Sequence, residues 1–225
     1  MQRFEPLVRE STPSIIARKL RTAIGLGQIA PGSQLGEAEL AKELGVSRGP
    51  LREAMQRLTQ EGLLISIRNR GLFVITMTDD EVRDMYVART AVERAATELI
   101  LQKGSKPVAD QLLAIVETMK KAAQKADLDA MSEADMEYHA TLVAAAHSAR
   151  LTRMHNTLLT ETRMCLTALE SRYPDPQARV AEHRAIAEAL AGGNDQLVGK
   201  LLISHMEDAL ERLTGAAKTV EETPA

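Results

Sequence analysis

The most constraining feature of this sequence is a pair of short helical patterns followed by a β-prone pattern. The stretches "EAELAKELG" and "VSRGPLREAMQRL" place apolar residues at helical spacing, and Gly45 stands between them where a helix C-terminal cap is expected. The next stretch, "LLISIRNRGLFVIT", consists of two β-prone runs around residues 69–71, which predicts a hairpin with a basic tip. Two short helices joined by a tight turn and followed by a hairpin predict a winged helix-turn-helix.

The second of these helices carries arginines near its N-terminal end. Its apolar stripe runs from Leu51 to Leu58, so Arg48 and Arg52, one helical turn apart, are predicted to face outward. In a winged helix-turn-helix this end enters the major groove, where a guanidinium pairs with a guanine edge or a phosphate. Arginines on the hairpin would add phosphate or minor-groove contacts. A solvated basic helix packed on a hairpin is the alternative. The residues predicted to contact double-stranded DNA are Ser47, Arg48, Gly49, Pro50, Arg52, Arg68, Arg70 and Gly71.

Charge divides the chain near the stretch "TMTDDE". Residues 1–77 hold 11 Lys and Arg against 7 Asp and Glu, whereas residues 78–225 hold 17 against 24. A basic front and an acidic back suggest two functions in one chain. The predicted division is a flexible N-terminus (1–11), a winged helix-turn-helix domain (12–77), a helical ligand-binding and dimerisation domain (78–215) and a flexible tail (216–225).

Composition favours a mainly α protein of the cytoplasm. Hydrophobic residues make up 44% of the chain but aromatic residues only 2%, which favours helices over aromatic-rich sheets. The scarcity of aromatic side chains also argues against RNA or single-stranded DNA, because bases stack on aromatic rings. The single cysteine, Cys165, excludes an internal disulfide and fits a reducing compartment. We see no signal-peptide pattern or membrane-spanning apolar run, so we expect a soluble cytoplasmic protein without a membrane partner.

The back half is helical throughout in its hydrophobic pattern. Gly104, Asp127, Ser148 and the stretches "YPDP" and "GGN" separate the helical segments. Helices of this length can form a bundle of about six helices that encloses a cavity. The predicted helices span 79–103, 106–126, 128–147, 149–172, 177–191 and 195–215.

Three histidines and one aspartate are predicted on apolar faces of this bundle. Asp135 and His139 lie four residues apart on one helical face, and His183 and His205 are each 11 residues from Asn194, in the turn between the last two helices. Antiparallel packing of those two helices would therefore bring the two imidazoles to the same height. An Asp/His₃ set suits zinc, nickel or manganese and leaves positions open for water or a ligand. The alternative is hydrogen-bonded structural histidines in a domain that only dimerises.

Two other histidines are expected to stay outside this set. His147 precedes Ser148 at a helix junction, and His155 falls outside the apolar stripe that includes Leu151, Met154 and Leu158.

Both halves resemble one family of proteins. The stretch "GQIAPGSQLGEAELAKELGVSRGPLREAMQRLTQEGLLISIRNRGLFV" resembles the DNA-binding domain of GntR-type bacterial transcription regulators. Residues 80–215 resemble the helical FCD effector domain of the FadR subfamily, and the six-helix count is closer to its VanR-like branch. Its metal-binding members also have an Asp four residues before a His and two later histidines, so the resemblance implies the same four ligands. It further implies a homodimer that binds a palindromic operator, responds to a small carboxylate metabolite and acts as a repressor.

A carboxylate effector would need a cationic partner. Arg89 and Arg163 lie in the middle of predicted helices and are candidates for this role, because arginine binds carboxylates with two parallel hydrogen bonds. The alternatives are that Arg89 pairs with Glu93 one turn later and that Arg163 is solvated. The helix predicted at 79–103 connects the two halves and is the expected route of any coupling between effector and DNA.

A metal-dependent hydrolase joined to a DNA-binding domain is a second hypothesis. An Asp/His₃ site with an open position can activate water. Catalysis also needs a general acid or base beside the metal. The nearest candidates are Glu137 and Glu182, and neither lies on the helical face that carries the predicted ligand next to it. We therefore favour a regulator that is not an enzyme.

Overall fold

The computed structural model describes residues 10–169 and 176–215, with the side chains of 166–169 and 215 left aside. Its contacts divide the chain into two units between Thr76 and Met77. The predicted flexible ends, apart from residues 10 and 11, and positions 170–172 of one predicted helix lie outside the described residues. The first unit contains α1 (Thr12–Gly25), β1 (Gln34–Leu35), α2 (Glu37–Glu43), α3 (Arg48–Gln60), β2 (Leu64–Ile67) and β3 (Gly71–Val74).

The first unit is a winged helix-turn-helix, as predicted. Gly45 has φ 64° in the turn between α2 and α3, a left-handed conformation that glycine adopts without a Cβ clash. The predicted inner stripe of α3 is confirmed, since Leu51, Ala54, Met55 and Leu58 are buried. Ser47 stands at the N-cap position of α3, but its hydroxyl makes no capping hydrogen bond.

The wing is a three-stranded antiparallel sheet and not only the predicted hairpin. Its order is β1-β3-β2, with Leu64 opposite Val74 and Ile67 opposite Gly71. Asn69 has φ 61° at the tip, a conformation that asparagine tolerates better than most residues. The added strand, β1, has only two residues, which is too short to produce an alternating pattern in the sequence.

The second unit is a bundle of helices. Thr78 and Glu81 form a reciprocal capping box that fixes the start of its first helix, with Thr78 N donating to Glu81 Oε2 at 2.7 Å. All six predicted helices are present among the described residues, and their ends lie within two residues of the prediction except at the C-terminal end of the helix predicted at 149–172, which falls outside the described residues. They are α4 (Asp79–Lys103), α5 (Lys106–Gln124), α6 (Leu128–Ala145), α7 (Ala149–Leu169), α8 (Pro176–Ala191) and α9 (Asp195–Gly215).

The bundle core is aliphatic and methionine-rich, as composition suggested, but the predicted face of α7 is wrong at two positions. Met154 is 56% exposed, whereas His155 is 1% exposed. His155 points inward because its Nε2 forms a hydrogen bond of 3.0 Å with the buried carboxylate of Glu93 on α4. None of the described helices is long and apolar enough to cross a membrane.

Candidate metal centre and DNA-binding surface

The four predicted ligands converge in the second unit. Asp135 and His139 project from α6, His183 from α8 and His205 from α9, and all four are buried. One ligand atom from each lies within 4.8 Å of every other. The prediction that equal distance from Asn194 places His183 and His205 at one height is confirmed, since their ring centroids are 4.5 Å apart.

The Nε2 atoms of the three histidines face one another. His139 Nε2 lies 3.2 Å from His183 Nε2 and 3.3 Å from His205 Nε2. The Asp135 Oδ1 atom lies 3.0 Å from His183 Nε2. Three ring nitrogens and a carboxylate oxygen therefore share one small, buried space.

The opposite ring nitrogen of each histidine faces an acceptor. His139 Nδ1 lies 2.7 Å from the Glu93 carboxylate, and His205 Nδ1 lies 2.9 Å from the Glu182 carboxylate. His183 Nδ1 lies 2.8 Å from the backbone carbonyl of Arg179, which can only accept. Each Nδ1 is therefore the donor, and in a neutral imidazole the lone pair is then on Nε2, directed at the shared space.

Burial and charge set the protonation states expected of ligands. Burial lowers the pKa of His139 to about 3 against the opposing charge of Glu93, so this imidazole is neutral near pH 7. Burial also lowers the pKa of His205. Burial opposes ionisation of Asp135, but the Arg179 guanidinium, 2.9 Å away, contributes to holding the pKa of that carboxyl well below its usual range. Neutral imidazoles and an ionised carboxylate are the states in which these groups bind metal.

The distances from His139 Nε2 to the other two Nε2 atoms fit a single metal ion. Two nitrogens bound to one zinc at about 2.0–2.1 Å, with an angle of about 90° to 110° between the bonds, lie about 2.8–3.4 Å apart. The observed 3.2 and 3.3 Å fall within that interval. Unprotonated nitrogens at this distance repel one another unless a cation or proton lies between them, so the donor set fits a divalent ion.

Glu93 belongs to the buried centre, although its sequence position predicts only a pair with Arg89. It is fully buried, and its Oε1 accepts from Arg89 Nε at 2.8 Å and from His155 Nε2 at 3.0 Å, while its Oε2 faces His139. Burial opposes its ionisation, yet the charge of Arg89 and the hydrogen bonds from His139 and His155 bring the pKa of Glu93 well below its usual range. Charged residues at 89 and 93 lie on the same helical face as buried Val92 and Ala96, a signal like that of the histidines.

The two predicted effector residues lie in different surroundings. Arg89 is 2% exposed, and its Nη2 is the buried side-chain polar atom without a hydrogen-bond partner among the described residues. Arg163 lies on α7 and binds Glu133 of α6 through both guanidinium nitrogens, the Nη2 bond measuring 2.9 Å. Its side chain is 24% exposed, so it is neither fully solvated nor buried.

The predicted DNA-contact residues form an exposed surface on the first unit. Ser47, Arg48, Gly49 and Arg52 are exposed, and Pro50 is half-buried. Arg68, Arg70 and Gly71 are also exposed on the wing. The Arg70 guanidinium lies 5.3 Å from the centre of the Phe73 ring, which restrains this cation beside the hairpin tip.

Comparison with known proteins settles what this pair of units is. The gntR family of bacterial regulatory proteins matches residues 14–74, and the FCD domain matches residues 84–208, more than half of the chain. The chain is a GntR-family regulator with an FCD domain.

Relatives of this GntR-family regulator extend over both units. A helix-turn-helix regulator from the TAR-I ttuE-ttuC' intergenic region of Agrobacterium vitis is 33% identical over 131 residues, which are 56% of this chain and 76% of that protein. The gluconate operon transcriptional repressor of Bacillus licheniformis is 29% identical over 207 residues, 90% and 85% of the two chains. A GntR transcriptional regulator from Rhodococcus sp. RHA1 superposes with a TM-score of 0.74 at 27% identity, covering 92% of this chain and 99% of that one.

Membership of the GntR family decides between the two classes of function considered from the sequence. The matched families and relatives are DNA-binding transcriptional regulators and not enzymes. The hydrolase hypothesis is therefore set aside, and the buried cluster of the GntR-family chain is a group of residues able to hold a metal in a regulatory domain.

Proposed function

We propose that this GntR-family regulator is a cytoplasmic homodimeric repressor whose operator binding responds to a small carboxylate held at a divalent metal. The observation that carries the proposal is the convergence of three Nε2 atoms whose opposite nitrogens are each held by an acceptor. Asp135, His139, His183 and His205 would hold the ion. Zinc, nickel and manganese all accept this donor set, and the bound ion would supply a Lewis-acidic position for carboxylate oxygens.

Arg89 is the residue we assign to the effector carboxylate. It is buried and tied to Glu93 through Nε, and its Nη2 has no hydrogen-bond partner among the described residues. A buried donor without a partner costs about 1–3 kcal/mol, so a ligand oxygen at Nη2 would be stabilising. Arg163 is the second candidate, and it would have to leave the carboxylate of Glu133 to bind a ligand.

The metal assignment is tested by elemental analysis of protein purified without an affinity tag or chelator. Wild type and the control His147→Ala, an exposed histidine outside the cluster, should each carry about one divalent ion per chain. His183→Ala should lose it, with helical content checked by circular dichroism. If wild type binds no ion after zinc, nickel and manganese are each added back, the assignment is wrong and the histidines are structural.

The effector assignment is tested by thermal unfolding of metal-loaded protein with a panel of mono- and dicarboxylates. A ligand at 100 times its Kd stabilises the folded state by about 2.7 kcal/mol. Arg89→Gln should lose this response while it retains the ion, and Lys120→Gln on the exposed side of α5 is the matched charge control. A response that survives in Arg89→Gln but not in Arg163→Gln would move the assignment to Arg163.

The DNA side of the proposal assigns base or phosphate contacts to Ser47, Arg48 and Arg52 and backbone contacts to the wing. Residues of both signs surround them, but the exposed arginines lie at the N-terminal end of α3, the end that winged helices insert into the major groove. Two copies would bind a palindrome with half-site centres about one helical turn apart, or a multiple of it. Repression is supported by the related gluconate operon repressor.

The outer face of α7 supports a homodimer through the second unit. Arg150, Met154, Thr157 and Glu161 recur at spacings of four, three and four residues, so they line one face. Packing this face against a second, antiparallel copy would bring Arg150 of each chain to Glu161 of the other. Burial, then the charge of Asp84, raises the pKa of Glu161 to about 7, and a partner's arginine would favour the ionised form.

A further inference from the structure

The contact between α2 and the recognition helix α3 involves a carboxylate that the DNA-binding assignment does not use. Glu37 lies in the first turn of α2, and Arg52 lies in the second turn of α3. The Arg52 Nε atom lies 2.7 Å from Glu37 Oε1 and 2.8 Å from Glu37 Oε2. The pair is 15 residues apart in sequence and joins the two helices of the helix-turn-helix at its surface.

The geometry of this pair leaves one edge of the guanidinium open. Within the described part of the chain, Arg52 donates only through Nε, and neither Nη1 nor Nη2 has a hydrogen-bond partner. A guanidinium whose Nε is occupied still has two parallel donors on its Nη1/Nη2 edge. In the major groove these two donors match the O6 and N7 acceptors of a guanine. Arg52 remains 64% exposed, so this edge is accessible.

The ionisation state of Glu37 favours its ion pair with Arg52. The hydrogen bond from Arg52 lowers the pKa of Glu37 against the opposing effect of burial, and the charges of Arg52 and Arg48 lower it further. Glu37 is therefore ionised at any pH at which the protein would meet DNA. Without a partner, the long side chain of Arg52 would sample many rotamers, and it would lose that conformational entropy when it bound DNA.

We propose that Glu37 is a specificity-determining residue: it holds Arg52 through Nε and so directs the Nη1/Nη2 edge of the guanidinium at one guanine of the operator. This inference rests on the proposed role of Arg52 in DNA binding. Glu37 itself touches no base. Its role differs from that of a charge that merely repels phosphates, because repulsion would weaken every DNA sequence equally.

The test compares three variants on defined duplexes. A duplex selected from random sequence by the wild-type protein serves as the specific probe, and each G·C pair in it is replaced in turn. Arg52→Lys, which lacks the two-nitrogen edge, identifies the base pair read by residue 52, where wild type should discriminate by about 5- to 150-fold. Glu37→Gln should lose most of this discrimination at the same base pair and bind a scrambled duplex at least as well as wild type. Glu39→Gln removes an equal charge from an exposed position on the same helix and should keep the discrimination.

The outcomes separate this inference from the assignment beneath it. If Arg52→Lys changes discrimination at no base pair, Arg52 does not read DNA, and both the role of Arg52 and the inference fail. If Arg52→Lys loses discrimination but Glu37→Gln keeps it, only the inference is overturned. The same holds if Glu37→Gln tightens binding to every duplex by one common factor, because Glu37 would then act only by repelling phosphates.

Discussion

Replacement of Glu93 by glutamine tests the buried network behind the metal centre. The carboxylate has three donors around it, with Arg89 and His155 on Oε1 and His139 on Oε2. A glutamine of the same shape has one oxygen and one NH₂ group. Either orientation of the amide therefore places its NH₂ group against a donor, and Arg89 loses its closest buried counter-charge.

The expected magnitude follows from burial. The side chains of Arg89 and Glu93 are 3% and 0% exposed, and removal of one partner from such a pair costs about 3–5 kcal/mol. Because His139 also loses the acceptor that orients its ring, metal affinity should fall by about 10- to 100-fold. Glu117→Gln is the control: it removes a carboxylate from an exposed pair with Arg184, where the loss should be about 0–1 kcal/mol.

Two assays separate the effects. Urea unfolding in the presence of a chelator, followed by circular dichroism, gives the unfolding free energy of the metal-free protein, and competition with a metal-sensitive dye gives the affinity. If Glu93→Gln is no more destabilising than Glu117→Gln, the buried network is not what holds α4 to α6 and α7. If stability falls but metal affinity does not, Glu93 does not position His139.

Two further predictions concern the partners. Arg52→Ala should weaken binding to the selected operator by about 1–3 kcal/mol and relax the sequence preference at one base pair. Arg68→Ala should instead weaken binding to all duplexes alike and reduce the slope of log affinity against log salt concentration by about 1. Fluorescence anisotropy measures both, and an equal loss of sequence preference in the two variants would contradict this division. Glu161→Arg should dissociate the dimer in sedimentation velocity experiments, and adding Arg150→Glu in the same chain should restore it; a double variant that stays monomeric would place the interface elsewhere.

The helices of this chain were predictable because the core is aliphatic. Leu, Ile, Ala and Met recur at helical spacing, and the breaks at Gly104 and Asp127 are strong helix signals. The ligand cluster was predictable for a related reason: His139, His183 and His205 stand on apolar faces, where an unpaired polar group is costly. Two histidines at equal distance from a turn needed only antiparallel packing to meet.

The missed features are those that depend on contacts distant in sequence. The spacing of Arg89 and Glu93 is equally consistent with an exposed ion pair one helical turn apart, and the pair is buried only because α6 and α7 pack over it. The face of α7 was misjudged because Met154 is more hydrophobic than His155, while the carboxylate on α4 stabilises the histidine inside. The hydrogen bond from Arg52 to Glu37 joins two polar surface residues, so no hydrophobic pattern in the sequence indicates it.

The protonation of His139 makes the stability of the metal-free protein depend on pH. Burial lowers the pKa of His139 to about 3 in the folded protein, whereas an unfolded histidine has a pKa of about 6.5. Between these values the unfolded chain binds a proton that the folded protein excludes, so the unfolding free energy falls as the pH falls. The full slope is about 1.4 kcal/mol per pH unit for one such group, and His205, whose pKa is also lowered, acts in the same direction.

The carboxylates of the site act in a lower window. The pKa values of Glu93 and Asp135 are held well below their usual range, so their contributions are complete above about pH 4.5 and are lost as the pH falls further. Between pH 7 and 5 Glu161 acts in the opposite direction, because burial and the charge of Asp84 raise its folded-state pKa to about 7, so urea unfolding of chelated protein is measured in a Glu161→Gln background as well as in wild type. The exposed His147→Ala control should reproduce the wild-type slope. A metal-free Glu161→Gln protein whose unfolding free energy is constant or rises as the pH falls from 7 to 5 would contradict the neutral, acceptor-oriented imidazoles on which the metal site depends.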